Sequence, residues 1–346
     1  FVYINDYDKF HRHIQLNTLC VFCVFRYFHI ERRYIMSVKD KKEVDSISST
    51  TQLASTPFID IDSYAPKMMA NRVGQVGVAK ANIGFLTTLA LSILAGVFIA
   101  LGAQLMMMVT HTATSSFGLN ALVGGVVFTM ALVLIVITGA ELFTGNCLIA
   151  MSFFAGKISS GDLSRNLIIS FIGNFIGALS IVFWIYISAQ WTAHNHLLGA
   201  KIVIAANDKV NLSFGVAFAR GVLCNSLVCL GIWLCYSARN NLDKVLSLLW
   251  PISCLIACGF EHCVVNMWLI PMGLILKGNR FVMEAVERVN GGPLDISNLT
   301  CAKGFLIHNL FPVVLGNLFG GIVLVAGVYW FVFLRIPKNK KVGPNG

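Results

Sequence analysis

Charge is what this chain has least of. Of its 346 residues, 26 are Lys or Arg and 16 are Asp or Glu, 12% in all, against roughly 25% in a soluble domain. The shortage is concentrated. Between Lys80 and Lys157 the only formal charge is Glu141; residues 166–200 carry none, 210–238 carry only Arg220, and 304–334 carry none. Stretches of that length exclude a water-facing fold, because about 20 apolar residues suffice to cross a bilayer core. The chain therefore reads as an all-α polytopic membrane protein. Acids are scarcer than bases, and the net charge is +10. That excess sits in tails and loops, where it reports orientation in a membrane and does not point to nucleic acid.

Other absences narrow the function. There is no HExxH, no GxSxG and no second His–Glu cluster, so an intramembrane enzyme would lack a metal set or a nucleophile. No NPA signature is present, which argues against a water or glycerol channel. The ten cysteines form no disulfide framework. Eight lie in or beside apolar stretches, where Cys acts as a small apolar residue. Cys20 and Cys23 make one CxxC, a weak zinc signal without a second pair. Neither a metal nor a cofactor is implied.

Against that background, Glu261 and His262 stand out. They are the only strongly ionisable groups between Val245 and Leu276. An ionisable side chain at bilayer depth costs a few kcal/mol or more, so it marks a cavity or a pore. Hydropathy places six spans near 85–109, 121–151, 166–190, 213–237, 245–276 and 306–334. The second and fifth are too long for one straight helix. Each holds helix-weakening residues, Thr144-Gly145-Asn146 in one and the Glu261–Asn266 stretch with Pro271 in the other. Irregular backbone at that depth survives only where protein or a wet cavity covers it, so both are expected to be broken helices.

Residues 1–60 read as a disordered or extraneous extension, polar over 37–60, and 336–346 as a basic cytoplasmic tail. Ile61 to Val78 is expected to form an amphipathic helix lying along the interface. Lys67, Arg72 and Lys80 precede the first span and Arg335, Lys338, Lys340 and Lys341 follow the last. With an even number of spans this bias predicts a plasma (inner) membrane protein with both termini cytoplasmic.

An internal echo divides the six spans into two threes. GNFIGA from Gly173 in the third answers GNLFGG from Gly316 in the sixth, and Gly139-Ala140-Glu141 answers Gly259-Phe260-Glu261. Three being odd, the halves cross in opposite senses, and inverted repeats with matched broken helices point to a permeation site at their interface. Glycine at such positions also serves plain helix packing, and Asn174 and Asn317 serve either as helix clamps or as holders of the broken segments.

Five segments carry a resemblance: FTMALVLIVITGAELFTG (128–145), SFIGNFIGA (170–178), GVLCNSLVCLGIWLCYSAR (221–239), GFEHCVVNMWLIPMGL (259–274) and NLFPVVLGNLFGG (309–321). Over residues 61–335 the chain resembles the formate–nitrite transporter family, closest in wording to its formate-channel branch. The resemblance implies homopentamers with one aquaporin-like pore per protomer. It assigns His262 as the central pore histidine, Thr144 as its threonine partner, and Phe128 and Leu142 as apolar constriction residues. Asn225 would face the histidine, Lys209 would be a vestibule cation for anions, and Glu261, Asn266 and Asn317 would support the pore. Leu255 departs from a second constriction phenylalanine, and Glu141 stands where aspartate is common.

The chemistry agrees. A small carboxylate shedding water in an apolar constriction must meet a positive charge or a proton, and conduction forbids trapping it. Histidine, titrating near neutrality, suits this. The expected transport is of formate, linked to protons, with nitrite, hydrosulfide, acetate and lactate as alternatives. A histidine merely hydrogen-bonded between helices is the plainer reading of His262.

Overall fold

Helix formation here follows from apolar composition, and helix ends from a few polar groups. A computed structural model describes residues 62–112 and 116–335; the expected N-terminal extension with its CxxC and the basic tail lie outside the described residues. Among the described residues eleven longer helices follow in chain order, with one 3-10 turn at Gln190–Thr192 between the fifth and sixth. They are α1 (Pro66–Ala81), α2 (Phe85–Thr110), α3 (Phe117–Thr138), α4 (Phe143–Phe154), α5 (Ser160–Ile187), α6 (Leu197–Val210), α7 (Phe214–Cys235), α8 (Asn241–Ala257), α9 (Cys263–Leu276), α10 (Arg280–Asn290) and α11 (Cys301–Phe333). α2, α3, α5, α7 and α11 are long and apolar enough to cross a membrane, and α4 and α9 are shorter apolar helices. α11 contains two π-helical stretches, Cys301–Leu310 and Phe319–Gly327.

The second and fifth spans are broken, as expected; the second breaks just before Thr144-Gly145-Asn146, and the fifth break overlaps the Glu261–Asn266 stretch at Glu261 and His262. Thr144, Gly145 and Asn146 lie within α4, and Pro271 lies within α9. The breaks fall at Gly139–Leu142 and Cys258–His262. Gly139 and Gly259 adopt φ of +78° and +66°, a left-handed conformation that costs other residues about 1–2 kcal/mol. Proline within α9 is tolerated because neighbouring helices can satisfy the freed carbonyl.

α2 packs on α5, and α7 on α11, through small residues. A Cβ on Gly96 would collide with the Asn174 backbone, and one on Gly316 with the Phe218 carbonyl. Gly96→Val is therefore expected to destabilise the protein by about 1–3 kcal/mol or more, the usual range for overpacking. Unfolding in mixed detergent micelles measures it, and an unchanged midpoint would refute the close contact.

α1 does not lie free along an interface. It buries Met69, Ala70, Val73, Gly74 and Gly77, and Ser152 of α4 donates to the Gly74 carbonyl at 2.9 Å. Small residues on that face let the backbones approach, so one side of this helix is packed on the broken helix. Arg239 ties down the segment before α1 by donating to the Asp62 carbonyl at 2.6 Å. Its guanidinium also stacks on Tyr64, whose other partner is Arg72. At the opposite end of α2, Lys201 of α6 donates to the Thr110 carbonyl and hydroxyl, closing that terminus as a cation should.

Candidate functional site

Each break is suspended from its neighbours by one buried asparagine. Asn174 on α5 accepts from the Phe143 N–H at 2.8 Å and donates to the Ser92 and Glu141 carbonyls at 2.7 and 3.0 Å. Asn317 on α11 accepts from the Cys263 N–H at 3.0 Å and donates to the Gly221 and Glu261 carbonyls at 2.8 and 2.9 Å. The Glu141 N–H bonds the Leu91 carbonyl, and the Glu261 N–H the Arg220 carbonyl. Backbone groups freed by the breaks are thus satisfied inside the protein, as an apolar setting requires. Of the readings open for these asparagines, both hold: each clamps two helices and a break together.

The glutamates repeat the same logic. Glu141 pairs with Lys80 at 2.9 Å and accepts from Asn146 at 2.7 Å. Glu261 pairs with Lys209 at 2.6 Å and accepts from Asn266 at 2.8 Å. Asn146 in turn donates to Asn166 and Ser170, and Asn266 to Asn309. Both carboxylates are about 1% exposed, a position a charge tolerates only when paired and hydrogen-bonded. Glu261 is therefore occupied with Lys209, Asn266 and Asn309, and Lys209 is a paired cation with part of its side chain still exposed.

The two breaks differ in the residue that opens the following helix. Leu142 precedes α4 and His262 precedes α9, both with extended backbone. The His262 Nδ1 accepts the Val265 N–H at 3.3 Å, capping α9. Its Nε2 lies 3.0 Å from the Thr144 hydroxyl of α4. An imidazole whose Nδ1 accepts carries its proton on Nε2, so Nε2–H donates to Thr144 Oγ and leaves that hydroxyl its own proton to give. Both side chains are buried. Thr144 and His262, from opposite halves of the chain, are the contact that joins the two breaks.

The remaining expected residues are placed as follows. Phe128 is fully buried on α3, close to Gly102 of α2. Leu142 is buried and lines a cavity of about 270 Å³. Asn225 does not spend its amide on the histidine. It donates to the Asn317 carbonyl at 2.7 Å and to Cys147 Sγ at 3.4 Å, because α7 and α11 approach closely enough there for a backbone carbonyl to claim it.

The cavity itself was not foreseen. Arg72, Lys80, Tyr236 and Lys244 line it along with Leu142 and Asn146, so it offers cations to an anion approaching the first break. Lys80, Asn146, Asn166 and Asn309 were also missed as site residues, although the spacing announces them. Glu141 and Asn146 are five apart, as are Glu261 and Asn266; Asn166 and Asn174 are eight apart, as are Asn309 and Asn317. Lys80 and Lys209 each stand five residues before the phenylalanine that opens the next helix, Phe85 and Phe214.

Comparison with known proteins bears on this geometry. The family model described as formate/nitrite transporter matches residues 67–331. The formate channel FocA of Escherichia coli K12 is 37% identical over 283 residues, 82% of this chain and 98% of that protein. A probable formate transporter of Methanothermobacter thermautotrophicus is 33% identical over 273 residues, 74% of this chain and 91% of that one. Among solved structures, a pentameric formate channel with formate bound aligns with a TM-score of 0.64 at 34% identity, covering 72% of this chain and 98% of the other. An ion channel described as of the FNT family aligns with a TM-score of 0.63 at 27% identity, covering 76% and 98%.

Proposed function

The chain belongs to the formate/nitrite transporter family, a group whose matched members are channels and transporters rather than enzymes, and from that premise we propose that it carries formate through a path in each protomer that passes Thr144 and His262. The observation that carries this reading is the buried Thr144–His262 contact between the two breaks. The solved relative described as a pentameric formate channel with formate bound supports both formate as substrate and a pentameric assembly. The bias of Lys and Arg supports an inner-membrane orientation with both termini cytoplasmic.

The steps follow from the groups present. An anion gathers near Arg72 and Lys244 in the cavity, then passes Leu142 into an apolar interior where its hydration is lost. There the Nε2–H of His262 exchanges its Thr144 acceptor for a carboxylate oxygen. A second proton on the imidazole has only Nδ1 to occupy, and Nδ1 accepts the Val265 N–H. A proton arriving at Nδ1 from the bathing solution therefore displaces the cap on α9, so imidazolium is short-lived; it passes its Nε2 proton to the carboxylate oxygen, which leaves a neutral imidazole protonated at Nδ1, and the anion crosses as the neutral acid. Histidine thus donates without trapping.

The test is uptake of labelled formate, nitrite and lactate into proteoliposomes across a pH series, with protein-free vesicles subtracted. Wild-type formate uptake is expected to rise as the pH falls, and His262→Ala to flatten that rise. An unchanged pH slope in His262→Ala would end the proton-relay reading, and unchanged rate and selectivity would make the histidine structural. Thr144→Val leaves Nε2–H without its acceptor, costing about 1–3 kcal/mol if nothing replaces it.

A further inference from the structure

Two thiols outside the path described so far lie side by side. The Sγ atoms of Cys254 and Cys258 are 4.0 Å apart, one helical turn separating them at the end of α8. Both side chains are exposed on the surface of the chain, unlike Cys147, Cys224, Cys229 and Cys263, which are buried. Cys258 is the residue that caps α8, its N–H bonded to the Cys254 carbonyl at 2.9 Å. Gly259 turns the chain out of the helix immediately after it, and Glu261 and His262 follow.

The separation has a chemical meaning. Two sulfurs bound to one pyramidal centre with a lone pair, through bonds of about 2.3 Å, stand roughly 3.4 Å apart, about half an ångström inside the 4.0 Å spacing here. A single centre could therefore bridge this pair with a small rotation of either side chain. A disulfide would need the Cβ atoms within about 3.5–4.5 Å, nearer than successive turns of a helix normally bring them, so oxidation would require the turn to unwind. The surroundings select among bridging centres. The neighbouring residues Leu255, Ile256, Ala257, Gly259 and Phe260 bring no charge, and the site lies four to eight residues before His262, level with the interrupted span. A hydrated divalent cation is poorly matched to an apolar site offering two ligands. A neutral reagent that condenses with two protonated thiols suits it.

We propose that Cys254 and Cys258 form a two-thiol binding site for neutral trivalent arsenic compounds, and that its occupation slows transport by clamping the turn that leads into the second break. The condensation is redox-neutral. An organoarsenic(III) oxide, R–As=O, reacts with two R′–SH to give R–As(SR′)2 and water: two As–S bonds form, the As=O bond breaks, and the two thiol protons leave on the oxygen. The clamped turn contains Leu255, whose carbonyl accepts the Phe260 N–H at 3.0 Å and so sets the direction of the Gly259–His262 segment.

The probe is phenylarsine oxide, applied to the full-length protein reconstituted in nanodiscs. Cys20→Ser and Cys23→Ser are included to remove the other closely spaced pair in the sequence. Expected is one phenylarsine adduct per protomer by intact mass, with loss of two titratable thiols. The adduct should survive excess glutathione and be released by 2,3-dimercaptopropanol, the behaviour of a chelating dithiol. Cys254→Ser and Cys258→Ser should each abolish the glutathione-resistant adduct, while Cys301→Ser keeps it. Resistant adduct persisting in both serine variants, or its removal by glutathione from the parent, overturns the site. In proteoliposomes, formate uptake should fall several-fold on treatment of the parent and not of Cys254→Ser. Equal uptake before and after treatment overturns the coupling. That last arm rests on the proposed transport function, whereas the mass and thiol counts do not, so failure of either idea is distinguishable.

Discussion

Asn317→Leu is expected to remove about 3–9 kcal/mol of stability, because it leaves the Cys263 N–H and the Gly221 and Glu261 carbonyls without their partner in a buried setting, at about 1–3 kcal/mol for each of the three groups left unpaired. Leucine shares the branched shape of asparagine but is larger, so overpacking in this fully buried site adds to the cost of the lost bonds. The substitution should also free the turn that presents His262, and the loss of formate uptake should exceed the loss of folded protein. Asn174→Leu should match it in stability, since Asn174 makes the same three bonds at the first break, but disturb pH dependence less, since Leu142 and not His262 stands there. Equilibrium unfolding in mixed micelles, compared with uptake per folded protein, checks both. A change under about 1 kcal/mol would mean that water takes over the role of the amide.

The second large effect concerns the buried ion pairs. Lys209→Met strands Glu261, and removing one partner of a buried pair typically costs about 3–5 kcal/mol. Asn266 and Asn309 still donate to the carboxylate, yet neither supplies a charge. Adding Glu261→Gln should restore a large part of the loss, because the remaining side chain is neutral and keeps one acceptor oxygen for the asparagines. Lys80→Met should cost less. Lys80 is 26% exposed against 19% for Lys209, and Glu141 lies beside the cavity that Lys80 lines, where water can reach. Thermal unfolding of the two single variants and the double variant measures this. A double variant no more stable than Lys209→Met alone would show that the lysine acts by packing its chain instead of neutralising the acid.

How far the sequence led depended on the kind of signal. The broken spans were legible because the second and fifth runs are too long for one straight helix and each holds helix-weakening residues. The second break lay before the expected Thr144-Gly145-Asn146 because the polar groups of Thr144 and Asn146 are satisfied by neighbours in the folded chain, and Pro271 likewise lies within a helix. Gly139 and Gly259 carried the better signal, a conformation open to little else. Lys80 was counted only as a charge fixing orientation. Its partner Glu141 lies 61 residues further on (141 − 80), so the signal lay in the matching position of Lys209 in the other half and not in any local pattern. Asn225 had a role implied by resemblance, and the nearer backbone carbonyl of Asn317 claimed its amide. Side-chain partners across helices depend on helix rotation by fractions of a turn, which periodicity does not fix.

Building one bracket twice separates what may vary from what may not. Glycine, glutamate and the two asparagines of each break are engaged in holding backbone, so each has neighbours that would be stranded by its loss. Leu142 and His262 occupy the same station in the two brackets and hold none of it by a comparable set of bonds. Chemistry can therefore be exchanged at those stations with the frame left standing. A search for variants with altered cargo is best directed at positions 142, 144 and 262, where a substitution forfeits at most the Thr144–His262 contact and the cap on α9, and away from 141, 174, 261 and 317, where the bonds that hold both breaks would be lost.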